Sequence, residues 1–173
     1  VVDPVSGTVY NAVNIPSWVE VPLRKIIEKI FQKPVFVNND ANCFALGEFY
    51  FGAGNAKENM VGLILGTGTG AGIISNGKLL AGRNNGAGEF GMIPYHDADF
   101  EHYCSGGFFE QTYGISSLKA FQLATNNENE GLKIWDVFGK HLAELIKVIL
   151  FSVDPEMIVI GGGLAQAYPF YYP

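Results

Sequence analysis

The chain has 173 residues, a formal net charge of −6 and 48% hydrophobic content, a size that suits one large domain or one domain with part of another. Its Lys and Arg, 11 in all, are spread without forming a basic stripe, which argues against a general nucleic-acid surface. Two cysteines are too few for a disulfide framework, no apolar run approaches the ~20 residues that span a bilayer, and no charged-then-apolar leader is visible; a reduced, cytoplasmic protein is expected.

PLRKIIEKIF (22–31) sets Leu23, Ile26, Ile27, Ile30 and Phe31 on one face at helical spacing, with Pro22 tolerated in the first turn. PVFVN (34–38) then reads as a short buried strand. NDANCFALGE (39–48) opens a helix expected over about 41–50. Either Asn39 or Asp40 suits its N-cap, and Asp40 also suits a catalytic base at the mouth of an α/β sheet. The helix–strand–helix alternation is the pattern of an α/β layer. The rhythm changes after Phe51, so the charged 52–60 stretch is the candidate domain boundary. VGLIL and AGIIS read as strands, and Asn76-Gly77 predicts a two-residue hairpin into KLLAG, giving a three-stranded antiparallel sheet at about 61–81. After a glycine loop (82–91) and an irregular stretch, helices are expected near 107–113 and 116–125, followed by an exposed turn at NNENEG. A long helix over roughly 132–151 carries Ile134, Trp135, Phe138, Leu142, Leu145, Ile146 and Ile149 on one face. MIVIGGG, after Asp154-Pro155, is a buried strand running into a glycine loop.

Glycine accounts for 22 of the 173 residues, well above the usual ~7%. GTGTGAG (66–72) lacks the Gly-Lys-Ser/Thr of a Walker A loop and the register of a dinucleotide fingerprint. It fits a hairpin whose glycines reach φ > 0 so that consecutive N–H groups cup phosphate oxygens, aided by Thr67 and Thr69; it fits a plain tight turn as well. The glycines at 161–163 suit a loop lying under a base and ribose. Glu89 in GAGEFG is either a solvated acid or an acceptor for vicinal hydroxyls, and aromatic neighbours make simple solvation of Glu110 in GGFFEQTYG less apt.

Together these segments resemble the ROK family of sugar kinases and sugar-responsive repressors, over essentially the whole chain and in the same motif order. NIPSW (14–18) is similar to the family's Asn-Leu-Pro-Gly-Trp, VNNDANCFALGE to its Asn-Asp-Ala-Asn block, and LGTGTGAGI to its second-lobe phosphate hairpin. The resemblance implies a sugar-contacting Asn39, a catalytic Asp40, sugar-binding carboxylates Glu89 and Glu110, and phosphate contacts from Gly66, Thr67, Gly68, Thr69 and Gly70. Gly161, Gly162 and Gly163 would lie beside adenosine. Two departures stand out. Met92 replaces the family's His, and counting back from Glu110 puts Glu101, Tyr103 and Phe108 where the family has zinc-binding cysteines, so no structural zinc is expected.

The implied fold is α/β, an actin-like ATPase or ribonuclease H-like pair of lobes, with residues 1–57 ending the sugar lobe and 58–173 forming most of the nucleotide lobe. The implied reaction is ATP-dependent, Mg²⁺-assisted phosphorylation of a hexose or N-acetylhexosamine at its 6-hydroxyl by a homodimeric enzyme. The family's first phosphate loop has no counterpart here, so the chain reads as part of a longer protein, inactive by itself. The alternatives are a sugar-sensing repressor, which would contact DNA through a winged helix upstream, and a carbohydrate-binding protein without turnover.

Overall fold

The computed structural model describes residues 2–12 and 15–172; Asn14, which opens the NIPSW segment, lies outside the described residues. Three short strands, β1 (Val2–Asp3), β2 (Thr8–Tyr10) and β3 (Glu20–Val21), pair antiparallel in that order. None is long enough to show a two-residue period in the sequence. Helix α1 (Leu23–Phe31) forms where its apolar spacing predicts, with Pro22 one residue earlier than expected, at the N-cap. Arg24 ties it to the first strands by donating to the carbonyls of Val5 (2.8 Å) and Pro4 (2.6 Å). No residue of α1 is buried, and Phe31 is 66% exposed.

The buried strand expected at PVFVN is not formed. Residues 32–39 join no strand ladder among the described residues, Val35 N–H going instead to the Glu28 side chain at 3.2 Å, and Phe36 is 88% exposed. An extended segment becomes a strand only when a neighbour offers backbone groups in register, and no described strand lies beside this one.

Helix α2 (Asp40–Phe51) resolves the capping ambiguity: the Asn39 side chain accepts from Asn42 N–H at 2.8 Å, leaving Asp40 as the first helical residue. Strands β4 (Met60–Leu65), β5 (Thr69–Ser75) and β6 (Lys78–Leu79) make the expected antiparallel meander, with Asn76 and Gly77 both at positive φ in the second turn. The region taken as irregular contains a 3-10 turn (Phe90–Met92), a minimal hairpin of β7 (Pro94–Tyr95) and β8 (Ala98–Asp99), and helix α3 (Phe100–Cys104). Then come α4 (Gly107–Tyr113), α5 (Ser117–Thr125) and α6 (Asn129–Val153). Helix α6 starts inside NNENEG, because Gly131 packs against α5, where a Cβ would lie 2.4 Å from Ala124 N. Strand β9 (Met157–Gly161), a 3-10 turn (Gly163–Ala167) and α7 (Tyr168–Tyr171) close the described chain.

The main sheet runs β6-β5-β4-β9, with β9 parallel to β4 and the other pairs antiparallel. Alternation along the strands divides its two faces. Val61, Leu63, Leu65, Ala71 and Ile73 join Trp135, Phe138, Leu142, Leu145 and Ile149 of α6 in the principal core. On the other face Met60 and Ile74 pack with Ala45 of α2. Here Gly62 and Gly72, paired across β4 and β5, let the helix come close: a Cβ on Gly72 would stand 2.6 Å from both the Ala41 carbonyl and the Ala45 methyl. Small residues on both sides thus set the position of Asp40 relative to the sheet.

The segment 92–104 is held by rings. Tyr95 stacks on Phe100 (4.3 Å between centroids) and bonds through its hydroxyl to His141 Nδ1 (3.2 Å), while Tyr103 and Phe108 also flank His141. Burial, and then the neighbouring His96, lower the His141 pKa below its ordinary 6.5. His141 is therefore neutral in the fold under conditions where the unfolded chain already protonates it. The unfolded state binds more protons in that window, so stability is complete above pH 6.5 and falls as pH drops through it. Thermal melts between pH 8 and 5 should show a steeper loss for the native protein than for His141→Gln; parallel curves would remove His141 as the titrating group. The carboxylates with lowered pKa values, Asp3, Asp97 and Glu156, act only at lower pH.

Candidate functional site

Two cavities open along the ends of β4, β5 and β9, and Gly66 and Thr67 line both. The smaller, about 220 Å³, is bounded by Asn39 and Asp40 at the start of α2, by the 66–70 hairpin, and by Glu89 and Glu101. It carries three carboxylates, and none of its lining residues is Lys, Arg or His. Such a cleft disfavours an anion and suits a neutral polyhydroxylated ligand, whose O–H groups donate to the carboxylates.

Each of these side chains is set by a local device. Because Asn39 Oδ1 is engaged in the cap, its amide N–H groups are the part left to donate. The Asp40 side chain is exposed, one oxygen accepting from Ala41 N–H at 3.0 Å and the other with no hydrogen bond among the described residues. Glu89 precedes the 3-10 turn at Phe90, where Gly88, at φ +94°, passes so close to β5 that a Cβ would fall 2.0 Å from the Ala71 carbonyl. Glu101 lies in the first turn of α3, which Asp99 caps by accepting from His102 N–H at 2.9 Å. Its carboxylate accepts from Thr69 N–H at 3.0 Å and so locks α3 to the hairpin. Thr69 Oγ1 adds a bond to the Cys104 carbonyl at 2.9 Å, and Cys104 itself is buried, its thiol pushed up to about 12 by that burial.

The hairpin differs from the expected nest. None of Gly66, Gly68 and Gly70 has positive φ; their lack of side chains, rather than left-handed backbone, opens the approach. Gly66 N–H is spent on Gly68 O (3.0 Å) and Thr69 N–H on Glu101, leaving the amides of Thr67 and Gly68 at the tip without a partner among the described residues.

The larger cavity, about 670 Å³, runs from Gly66, Thr67, Gly106 and Gly107 to an apolar wall of Leu118, Phe121, Trp135 and Leu164. Gly163 and Gln166 border it, whereas Gly161 is packed under Phe44 of α2 and Gly162, at φ +88°, turns the chain over the Leu65 carbonyl. Glu110 belongs to this cavity and not to the acidic cleft. Glu101 is the carboxylate that accompanies Asp40 and Glu89. Counting back from Glu110 assigns Glu101 to a would-be zinc position, which hides this place in the cleft. The pair Asp99-x-x-His102, a cap opening a helix directly after a hairpin, is the local signal that could have found it.

The positions that the resemblance would assign to zinc do not fit the metal at Met92, Tyr103 and Phe108. Met92 is exposed, Phe108 is buried among aromatic rings, and Tyr103 bonds to Asp97. A phenyl, a phenol and a thioether are not the thiolate and imidazole set that zinc takes, and no group of three or more His, Cys, Asp or Glu among the described residues is arranged to hold an ion. No described helix is long and apolar enough to cross a membrane.

The mixed sheet and its flanking helices make an α/β topology that matches the actin-like ATPase fold of the structural relatives. The family model for the ROK family matches residues 1–173, and the chain belongs to that family. It is 35% identical, over 94% of its length, to a glucokinase of Halalkalibacterium halodurans, and 34% identical, over 95%, to an N-acetyl-D-glucosamine kinase of Yersinia pseudotuberculosis. Those matches take in 58% and 62% of the two relatives, so the chain spans about three-fifths of the curated relatives it matches. The crystal structure of a glucokinase from Parabacteroides distasonis superposes with a TM-score of 0.83 at 27% identity, covering 99% of this chain and 56% of that one.

Proposed function

We propose that the full-length protein transfers the γ-phosphoryl group of ATP to a hydroxyl of a hexose or N-acetylhexosamine, at the 6-position. The observation that carries this reading is the pair of cavities sharing Gly66 and Thr67: an acidic cleft suited to a polyol on one side and a large, mostly apolar cavity on the other. A donor lying in the larger cavity brings its phosphates to the shared hairpin tip, which is where an acceptor in the cleft meets them.

In this reading the sugar lies between Asn39, Glu89 and Glu101, the carboxylates accepting from its hydroxyls and the Asn39 amide donating. Asp40 takes the proton of the attacking hydroxyl. A carboxylate suffices as acceptor, because the hydroxyl acidifies as its oxygen bonds to phosphorus; phosphoryl transfer depends chiefly on placement and charge. Mg²⁺ would travel with the nucleotide and neutralise phosphate charge, as it commonly keeps several waters and few protein ligands. Residues 1–57 would close the sugar lobe and 58–173 make the nucleotide lobe, with α2 seated on the latter's sheet so that Asp40 stands at the junction.

The test is a coupled ADP-release assay on the full-length protein with glucose, N-acetylglucosamine and N-acetylmannosamine, and NMR of the product to locate the phosphate. Glu101→Gln and Glu89→Gln should each raise the sugar KM roughly 10-fold or more, the loss of a charge-assisted hydrogen bond, with the ATP KM nearly unmoved. No sugar-dependent ADP release with any of these sugars would end the proposal. Equal damage to both constants would assign Glu101 to holding the hairpin rather than the sugar.

A further inference from the structure

We propose that Asn42, which lines neither cavity of the site, is a positioning residue for the reaction: its buried amide holds the Asn38-Asn39 turn in the arrangement that presents Asp40 and the Asn39 amide to the acidic cleft. This rests on the phosphoryl-transfer reading and adds to it a residue that acts on the base without touching substrate.

Helix α2 buries three residues, Ala41, Asn42 and Ala45. Two of them are the methyls that a helix lying on glycines calls for; the third is an amide, 1% exposed. It lies against the sheet, its Cα 3.0 Å from where a Cβ on Gly72 would stand. Burying an amide is unfavourable unless its groups are paired, and here the pairing is one-sided. Asn42 Nδ2 donates to Asn38 Oδ1 at 3.0 Å, while Asn42 Oδ1 has no partner among the described residues. An apolar side chain of like size would fill the same space without an unpaired oxygen. What it would not do is hold Asn38.

The residues held are the two that precede the base. Asn38 Oδ1 accepts from Asn39 N–H at 2.9 Å as well as from Asn42 Nδ2, and Asn39 Oδ1 accepts from Asn42 N–H at 2.8 Å. Three asparagines thus close a ring of hydrogen bonds around the peptide that leads into Asp40. No strand ladder steadies residues 32–39 among the described residues, so these side-chain bonds fix how the extended segment meets the helix. Asn39 is extended, at ψ 158°, and Asp40 is already helical. Releasing Asn38 loosens that junction and the direction of both side chains that line the cleft beyond it, Asn39 and Asp40. A displacement of about 1 Å in a reacting group is enough to cost ~100-fold in rate.

The experiment compares Asn42→Ala, Asn42→Asp, Asn38→Ala and Asn38→Asp with the native full-length protein in the ADP-release assay, with Tm measured on each. Asn42→Ala keeps its backbone N–H, and so the Asn39 cap, and it sheds the unpaired oxygen; its Tm should stay near native. Its kcat should fall roughly 10- to 100-fold, the cost of a misplaced base, with the ATP KM unmoved. Asn42→Asp sets an acceptor against the Asn38 oxygen and should lose at least as much. Asn38→Ala should match Asn42→Ala without altering the buried position, and the conservative Asn38→Asp, which keeps the acceptor, should restore most of the rate lost in Asn38→Ala. Combining Asn38→Ala with Asn42→Ala should add little to either alone, as for two ends of one bond. Native kcat in Asn42→Ala overturns the proposal while leaving the kinase reading intact. Equal losses in Asn38→Ala and Asn38→Asp also overturn it, as do losses that follow Tm and vanish when scaled to folded protein. Absence of ADP release with every sugar in the native protein fails the kinase reading itself, and this inference with it.

Discussion

Asp40→Asn in the full-length protein should cut kcat by at least ~100-fold, within the range that positioned acid–base groups contribute, while the sugar KM changes little. The substitution keeps the volume and one acceptor oxygen, so the contact with Ala41 N–H can persist. The helix is not at risk, because its cap belongs to Asn39. Loss of a negative charge from the first turn costs only about 0.3–1 kcal/mol through the helix dipole. What disappears is one of the two carboxylates in the acidic cleft, Asp40 and Glu89, that tie no other element down among the described residues; Glu101 is spent on Thr69 N–H. Turnover near the native rate in Asp40→Asn, with a normal melting temperature, would leave the residue as part of a helix start and nothing more. A matched loss in Asn39→Ala would be less informative, since that variant loses a cap worth ~0.5–2 kcal/mol as well.

Asp40 and Asn39 also show how far local sequence rules reach. Propensity ranks Asn and Asp as equal caps, so the sequence alone left open which would be occupied. Packing decides: Asn42 is 1% exposed, with its amide donating to Asn38 at 3.0 Å and its backbone N–H to Asn39. The strands and helices with a clear period were legible, as in β4, β5 and α6. The PVFV segment had a strand's composition, but its formation depends on a partner, and composition carries no information about partners. Segment 92–104 was illegible for a related reason. Its strands are two residues long, and what orders it is contact between rings of residues 46 positions apart, Tyr95 and His141. Glu101 was overlooked because its role comes from Thr69, 32 residues away.

Gly72→Val should be among the most damaging single changes in the chain. Its Cβ alone would stand 2.6 Å from the Ala41 carbonyl and 2.6 Å from the Ala45 methyl, and Val adds two further carbons. Neither neighbour can turn aside: one is backbone, the other a methyl with no rotamer. The helix must lift from the sheet or β5 must bend away from β4, where Gly62 lies opposite and is in contact with the same Ala45. Overpacking of this kind costs about 1–3 kcal/mol and sometimes more. For a protein of this size that lowers Tm by roughly 2–4 °C per kcal/mol. The functional effect should exceed the thermal one. Asp40 rides on the first turn of the displaced helix, and a shift of about 1 Å in a reacting group can cost ~100-fold in rate. Gly72→Ala should do the same more mildly, and adding Ala45→Gly to it should recover part of the Tm by removing one of the two clashes, though not the one with the carbonyl. Melting curves and the ADP-release assay on these three variants separate the two effects. A Gly72→Val protein with native Tm and native kcat would mean that α2 does not rest on the glycines, and that Asp40 is positioned by something else.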